Sequence, residues 1–361
     1  MLELADLLRR HWPEYQRRYG QRIPTAHRQA VQALLKCRTA ELGGQLFRCS
    51  PCQEARFVYH SCNHRACPRC GKAQRDCWLA RQMTRLLPVP YFLITFTVPQ
   101  ELRHLVRSHQ KTFFSILFGQ SAAALQDIAR NPKHLGAQLA MLGVLHTWSR
   151  QLVYHPHIHF LVPGGGLSAD KLRWVPCPSA DFFLPFKPLK IRFRTRMRQA
   201  LQAVPQLWSQ LQRQPGIWKL NWVVNLQAVG KGERALGYLA QYIYRTAISS
   251  TRLLKDHHGQ ITFQYHNRHT KGWDTLTLDA MEFLRRFLQH ILPSGFQRVR
   301  SYGWLSSAAL EKWQRVTALL DWTPKPPLTP PPAPPPLCPK CHQPMCLVQL
   351  LEPHRPRGPP A

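Results

Sequence analysis

The stretch Tyr154-His155-Pro156-His157-Ile158-His159-Phe160 decides how this chain is read. It lies within residues 151–162, where β-branched and aromatic residues spell a strand. Alternate side chains of a strand share a face, so His157 and His159 point the same way. Ile158 between them turns to the core, and His155 lies one step back. Two imidazoles held parallel on a rigid strand form a platform for a metal ion, because neutral imidazole is the commonest protein metal ligand. The bland alternative is an electrostatic accident of three histidines on an edge strand.

On either side, strand-like and helix-like runs alternate. Residues 90–98 (PYFLITFTV) read as a buried strand by length and composition. Pro99 opens a helical stretch to 118, continued over 119–128. The histidine strand ends in the turn Pro163-Gly164-Gly165-Gly166. Farther on, 218–228 reads as a strand, Gly230-Lys231-Gly232 as a turn and 233–245 as a helix, followed by a strand over 268–278 and a helix over 281–292. Strands mixed with crossover helices predict an α+β layer structure, a sheet with helices on a face.

The helix over 233–245 carries Tyr238 and Tyr242, four residues apart and therefore neighbours on one side. At roughly 100° per residue, Leu236, Leu239, Ala240 and Ile243 form the core stripe. Tyr238 falls opposite, beside Arg234, Gln241 and Arg245, with Tyr242 on the boundary. A tyrosine on a helix is commonly a packing aromatic, and Tyr244, off the face of the pair, reads that way. Tyr238 does not fit that reading. A hydroxyl nucleophile flanked by cations suits phosphoryl transfer instead.

The first 90 residues hold seven cysteines: Cys37, Cys49, Cys52, Cys62, Cys67, Cys70 and Cys77. Two C-x-x-C knuckles separated by 14 residues match the spacing of a tetrahedral zinc ribbon, with zinc expected at Cys49, Cys52, Cys67 and Cys70. Cys37 and Cys62, with His64 nearby, are further candidates for a second zinc or alternative ligation. Cys77 reads as a small apolar residue of a helix. In the tail, Cys338-Pro339-Lys340-Cys341 forms one more knuckle, with Cys346, His342 or His354 as completing ligands or as a remnant without metal. Zinc in the first module is structural, folding a surface rich in Arg48, Arg56, Arg65, Arg69, Lys72 and Arg75 that can grip phosphates.

Lysine and arginine outnumber acids 49 to 18 in 361 residues, a formal charge of +31. That imbalance repels itself unless a polyanion neutralises it, and it is spread along the whole chain. A nucleic acid partner follows, with Arg65, Lys72, Arg75, Arg234 and Arg245 as the expected DNA contacts. No signal peptide or spanning segment is apparent: the longest apolar run, 86–98, is short and contains Pro88 and Pro90. A soluble cytoplasmic protein is expected, in which eleven cysteines favour metal sites over disulfides. The expected domains are 1–90 (helical and zinc-binding), 91–310 (catalytic), 311–337 (helix end and proline-rich linker, WTPKPPLTPPPAPPPL over 322–337) and 338–361 (a short knuckle tail).

These parts occur together in one family. The histidine strand and the paired tyrosines stand beside HWPEYQRRYG, CRTAELGG, SCNHRACPRC, LLPVPYFLITFTVP, LHTW, GYLAQYIYRTAIS and FLRRFLQHILPSGFQRVRSYGWL. Over nearly its whole length the chain resembles the HUH endonucleases, specifically the rolling-circle transposases of the insertion sequence 91 type. The order, histidine strand before tyrosine helix, is similar to transposases and replication initiators and unlike relaxases. The sequence departs from the family habit at Ala66 and Leu93, where histidine is common.

The resemblance implies an antiparallel-sheet HUH nuclease domain with helices, preceded by a small zinc-ribbon-like domain. It implies that His157 and His159 hold magnesium or manganese against the scissile phosphate of single-stranded DNA. Tyr238 or Tyr242 then attacks, giving a 5′-phosphotyrosine and a free 3′-hydroxyl, and the second tyrosine repeats the step on the other end or the target. Magnesium prefers oxygen ligands, so two imidazoles alone point to manganese or to a third, oxygen-bearing ligand. Gln241 is the candidate, with Glu233 and His155 as outsiders. A replication initiator with the same chemistry, or a non-catalytic zinc-ribbon DNA-binding protein, are the rival readings.

Overall fold

The computed structural model of the chain describes residues 2–244, 247–267, 269–324, 326 and 334–353. Arg245, His354 and much of the proline tract lie outside the described residues. The chain forms two compact units from interleaved segments: Met1–Cys77, Tyr244–Ile291 and Thr329–Ala361 in one, Trp78–Ile243 and Leu292–Leu328 in the other. The boundaries expected at 90, 310 and 337 follow the sequence, whereas pairing and packing return later segments to the first unit.

The larger unit is built on an antiparallel five-stranded sheet in the order Val299–Tyr302, Met141–Trp148, Tyr154–Pro163, Tyr91–Thr97, Val223–Ala228. The histidine strand is therefore the central strand and not an edge. Side chains alternate across it: Ile158 and Phe160 join the core, while His157 and His159 take the other face. The core face is aromatic, with Phe92, Phe96, Phe160, Phe193 and Trp222 fully buried under the helices Gln110–Arg130 and Phe186–Gln202. Burying each such side chain stabilises the fold by roughly 1.5–3 kcal/mol. Gly143 lies opposite Phe160 in the neighbouring strand, and a Cβ there would strike the Phe160 ring at 2.6 Å. The α+β class is the one the composition and alternation predict.

Local boundaries shift where tertiary packing intervenes. The helical stretch after Pro99 is broken at His109 (φ −127°, ψ 41°), and the second piece runs unbroken through Arg130. The strand expected over 218–228 begins only at Val223, because Pro215–Lys219 closes a 3₁₀ turn that buries Ile217 and Trp222. After the glycine turn, Gly165–Ser168 starts a small sheet with Ala137–Gln138 and Trp174–Pro176.

In the first unit, the helix Leu4–Tyr19 buries Leu4, Leu7, Leu8, Trp12 and Tyr15 and packs on the later helix Ala280–Leu288. Arg10 and His11 both reach the Asp256 carboxylate, at 3.1 and 2.8 Å. A separate hairpin, Gly44–Arg48 with Ala55–Tyr59, gains a third strand, Cys346–Leu351, from the far end of the chain. Among the described residues no helix is long and apolar enough to cross a membrane.

Candidate active site and metal centres

The outward face of the central sheet assembles three imidazoles. His146, on Met141–Trp148, lies directly opposite His157 in the antiparallel register, and His159 follows two residues on. One ring nitrogen of each lies within 4.8 Å of the others. Their ring centroids are 4.5 to 5.1 Å apart. The register shifts between His146 and Trp148, an irregularity of the kind that re-aims side chains beside sites.

Neighbours select which nitrogen each ring presents. The His157 Nδ1–H donates to the His155 carbonyl at 2.6 Å, which leaves Nε2 with its lone pair. His159 Nδ1 lies 2.8 Å from Thr95 Oγ1 on the adjoining strand, orienting that ring in the same manner. Burial holds His146 well below the ordinary histidine range, helped by the neighbouring His159, His157 and Arg298, so its imidazole is neutral. Its Nε2 is buried without a hydrogen-bond partner among the described residues, as a ligand atom facing a cation would be. The donor set fits a divalent ion.

The structure adds His146 to the pair read from the sequence. Gln241 is exposed on the tyrosine helix, and neither Glu233 nor His155 is among the three clustered residues. His155 Nδ1 instead faces the Arg103 guanidinium at 3.2 Å. His146 stands in the LHTW motif, but only strand pairing reveals its use: it precedes His157 by eleven residues and meets it across a hairpin.

The helix Glu233–Tyr244 brings both tyrosines to this cluster. Leu236, Leu239, Ala240 and Ile243 are buried, which turns Tyr238 and Tyr242 toward the histidines. The Tyr242 ring stacks on His146 at 4.1 Å, and Tyr238 stands 6.0 Å from His159 and 4.7 Å from Tyr242. Tyr238 is 37% exposed, so its face is open to a large substrate. Arg298, unremarked in the sequence, ties the helix to the sheet. Its guanidinium donates to the Tyr242 and Ile243 carbonyls at 2.9 and 3.0 Å and lies over the Trp148 ring. A cation there satisfies the final carbonyls and the helix dipole together. Arg298→Met should destabilise the fold by about 2–3 kcal/mol, read by chemical denaturation. An unchanged midpoint would show that the helix is held elsewhere.

The cysteines sort differently from the ribbon expected. Cys37, Cys62, Cys67 and Cys70 form one cluster, and Cys49, Cys52, Cys338 and Cys341 another, each with its four sulfurs within 4.8 Å. The two N-terminal knuckles thus fall in different clusters: Cys49 and Cys52 sit in the turn of the hairpin Gly44–Arg48/Ala55–Tyr59, and Cys67 and Cys70 come after its second strand. In the first cluster Cys37 lies 3.3 Å from Cys70 and 3.5 Å from Cys67. A tetrahedral zinc–thiolate centre has sulfurs about 3.8 Å apart, so the spacing fits. Hydrogen bonding from Cys67 draws the Cys62 thiol down to about 5, while Cys67 itself is pushed upward. Four thiolates this close need a cation to coexist. His64, with its Nδ1 accepting from the Ala66 N–H, stays outside the cluster. His342 and Cys346 are exposed and also stand apart, and Cys77 is half-buried in its helix.

The basic residues divide as well. Lys72 and Arg234 are exposed, Arg234 one helical turn from Tyr238. Arg65 is half-buried, Arg69 bonds Glu3, Arg75 bonds Asp76, and Arg56 donates to the Leu337 carbonyl.

Residues 140–312 match the family described as "Putative transposase", and residues 7–98 match the "Transposase zinc-binding domain". The chain is 35% identical over 327 residues to the "Putative transposase y4qJ" of Sinorhizobium fredii, covering 86% of this chain and 82% of that protein. It is 28% identical over 299 residues to the "Transposase for insertion sequence element IS801" of Pseudomonas savastanoi pv. phaseolicola, covering 77% and 70%. No solved structure matches the chain.

Proposed function

Since this chain belongs to the transposases of the insertion sequence 91 family, we propose that it moves DNA by rolling-circle transposition, nicking and rejoining single strands through a 5′-phosphotyrosine. The observation that carries this reading is the convergence of two tyrosines on three imidazoles, with Tyr242 stacked on His146 and Tyr238 beside His159. A purely structural histidine cluster has no need of two phenols at its mouth.

In the proposed reaction the phenolic oxygen of Tyr238 or Tyr242 attacks the scissile phosphorus. The tyrosine–phosphorus bond forms as the bond to the 3′-oxygen breaks; the phenol loses a proton and the leaving oxygen gains one. A free 3′-hydroxyl and a protein-linked 5′ end result. The other tyrosine can repeat the exchange on a second strand, conserving the phosphodiester energy in the covalent link. A divalent cation held by His146, His157 and His159 would supply Lewis-acid polarisation of the phosphate. Three nitrogen donors favour manganese over magnesium. Around this centre, Thr95 and the His155 carbonyl orient imidazoles, Arg298 positions the tyrosine helix, and exposed Arg234 meets phosphate oxygens. Arg65, Lys72 and Arg75 add DNA contacts on the zinc-binding domain, whose structural zinc sits at Cys37, Cys62, Cys67 and Cys70. Arg245 is proposed on the same grounds of charge, though it lies outside the described residues.

Nicking of single-stranded oligonucleotides bearing the ends of the element tests the reading. A denaturant-resistant protein–DNA adduct is expected on these ends and not on scrambled or duplex DNA. Adduct formation that ignores both sequence and strandedness, or no adduct at all, would reject it. Thr95→Val should raise the manganese concentration needed for half-maximal cleavage about 10–100-fold at saturating turnover little changed, since it disturbs only the orientation of a ligand. A metal titration superimposable on that of the unmodified protein would remove Thr95 from this role.

A further inference from the structure

Cys49 and Cys341 lie 292 positions apart in the chain, yet their sulfurs approach to 3.4 Å. The knuckles that carry them are local copies of each other. In the first, the Cys49 N–H donates to the Glu54 carbonyl and the Gln53 N–H to the Cys49 carbonyl, both at 2.9 Å, with Gln53 at φ +55°. In the second, the Cys338 N–H donates to the Gln343 carbonyl at 2.9 Å and the His342 N–H to the Cys338 carbonyl at 3.0 Å, with His342 at φ +57°. Each C-x-x-C is thereby bent so that both thiols face one point. Cys49 and Cys338 are fully buried there.

The rest of the tail is fitted to this meeting. The strand Cys346–Leu351 pairs antiparallel with Gly44–Arg48, from Arg48 opposite Cys346 to Gly44 opposite Leu351. Lys340 bonds Glu54 at 2.7 Å, the Arg56 guanidinium donates to the Leu337 carbonyl at 3.1 Å, and buried Met345 packs with Phe47 beside the thiols. Gly43, at φ +67°, has no room for a Cβ because the backbone of residues 351–353 runs against it. All four cysteines of the two knuckles are free thiols, not joined in disulfides. They suit one tetrahedral ion, whose sulfurs would stand about 3.8 Å apart.

We propose that Cys49, Cys52, Cys338 and Cys341 bind a zinc ion of their own, which clamps the C-terminal tail onto the N-terminal domain as the second half of a split zinc ribbon. The zinc-binding domain bounded by the family match at residue 98 is then completed by residues beyond 337. The proline-rich tract is the tether that lets one end of the chain return to the other. A chain ending before the tail lacks half the ligands, and its hairpin leaves the Gly44–Arg48 edge unpaired.

Elemental analysis of the purified full-length protein tests this without recourse to activity. Two zinc ions per chain are expected, as two four-thiolate sets require. Cys338→Ser/Cys341→Ser should lose one and keep the other, and Cys62→Ser/Cys67→Ser should do the converse. In a second arm, a protease site is inserted in the proline tract of the otherwise unchanged chain, leaving all eight ligands in place. After cleavage the tail fragment should co-elute with the remainder until a strong chelator releases it, and added zinc should restore the association. A single zinc in the unmodified protein, two in the tail variant, or a fragment that separates before chelation would each overturn the proposal.

Discussion

Tyr238→Phe/Tyr242→Phe yields no protein-linked 5′ DNA end, a loss of at least about 10⁴-fold in adduct formation. The substitution keeps both rings, so the packing of Tyr242 against His146 and Trp148 survives and only the phenolic oxygens disappear. A structural role for the pair would leave activity near normal with a small change in stability. Each single variant should still nick once and fail at strand transfer, because one nucleophile remains. The two need not be equal: Tyr242 is held by the stack on His146, while Tyr238 is the more exposed. Tyr244→Phe is the control and should remain active. The measurement is adduct retained on a denaturing gel with labelled single-stranded DNA. Adduct formed by the double variant would end the nucleophile assignment.

His146→Ala lowers cleavage about 10²–10³-fold, the scale expected when a charge-stabilising partner of the transition state is removed. Single-stranded DNA affinity should change little, because it rests on lysine and arginine contacts to phosphate. Chelation should reproduce the loss reversibly, with manganese restoring activity at least as well as magnesium. The same experiment on His157→Ala and His159→Ala should give the same split between binding and cleavage. In the unmodified protein, acid acts on the same ring. Burial keeps the His146 pKa below its unfolded value of about 6.5, so its contribution to stability is present above that pH and fades as the pH falls toward the folded value. Cleavage by His146→Ala that matches the unmodified protein across a full metal titration would return the site to two histidines.

Much of this arrangement follows from short-range pattern. Period-two alternation placed His157 and His159 together and Ile158 in the core, and helical periodicity separated Tyr238 and Tyr242 from the stripe of Leu236, Leu239, Ala240 and Ile243. Those are properties of a single element, set by its own geometry. The C-x-x-C knuckles are likewise local turns, so their existence was legible. Strand and helix ends were less so. The late start of Val223–Ala228 depends on how Trp222 buries, and the break at His109 leaves no proline or glycine in the sequence to announce it.

What the sequence by itself determined is the α+β class, the DNA-facing charge, and the chemistry-bearing residue types on each element. The tertiary structure alone decided which elements meet. His146 becomes a third imidazole only because Met141–Trp148 pairs with the histidine strand in a register that sets it opposite His157. Arg298 reaches the end of the tyrosine helix from the segment leading into an outer strand of the same sheet. Cys49 and Cys52 find their partners in the tail, although Cys67 and Cys70 are far nearer in sequence, while Cys67 and Cys70 join Cys37 and Cys62. Periodicity constrains a side chain only relative to its own backbone, whereas a metal centre is a condition on distances between separate elements. Those distances are set by strand register and core packing summed over the whole chain, so no local spacing could have specified them.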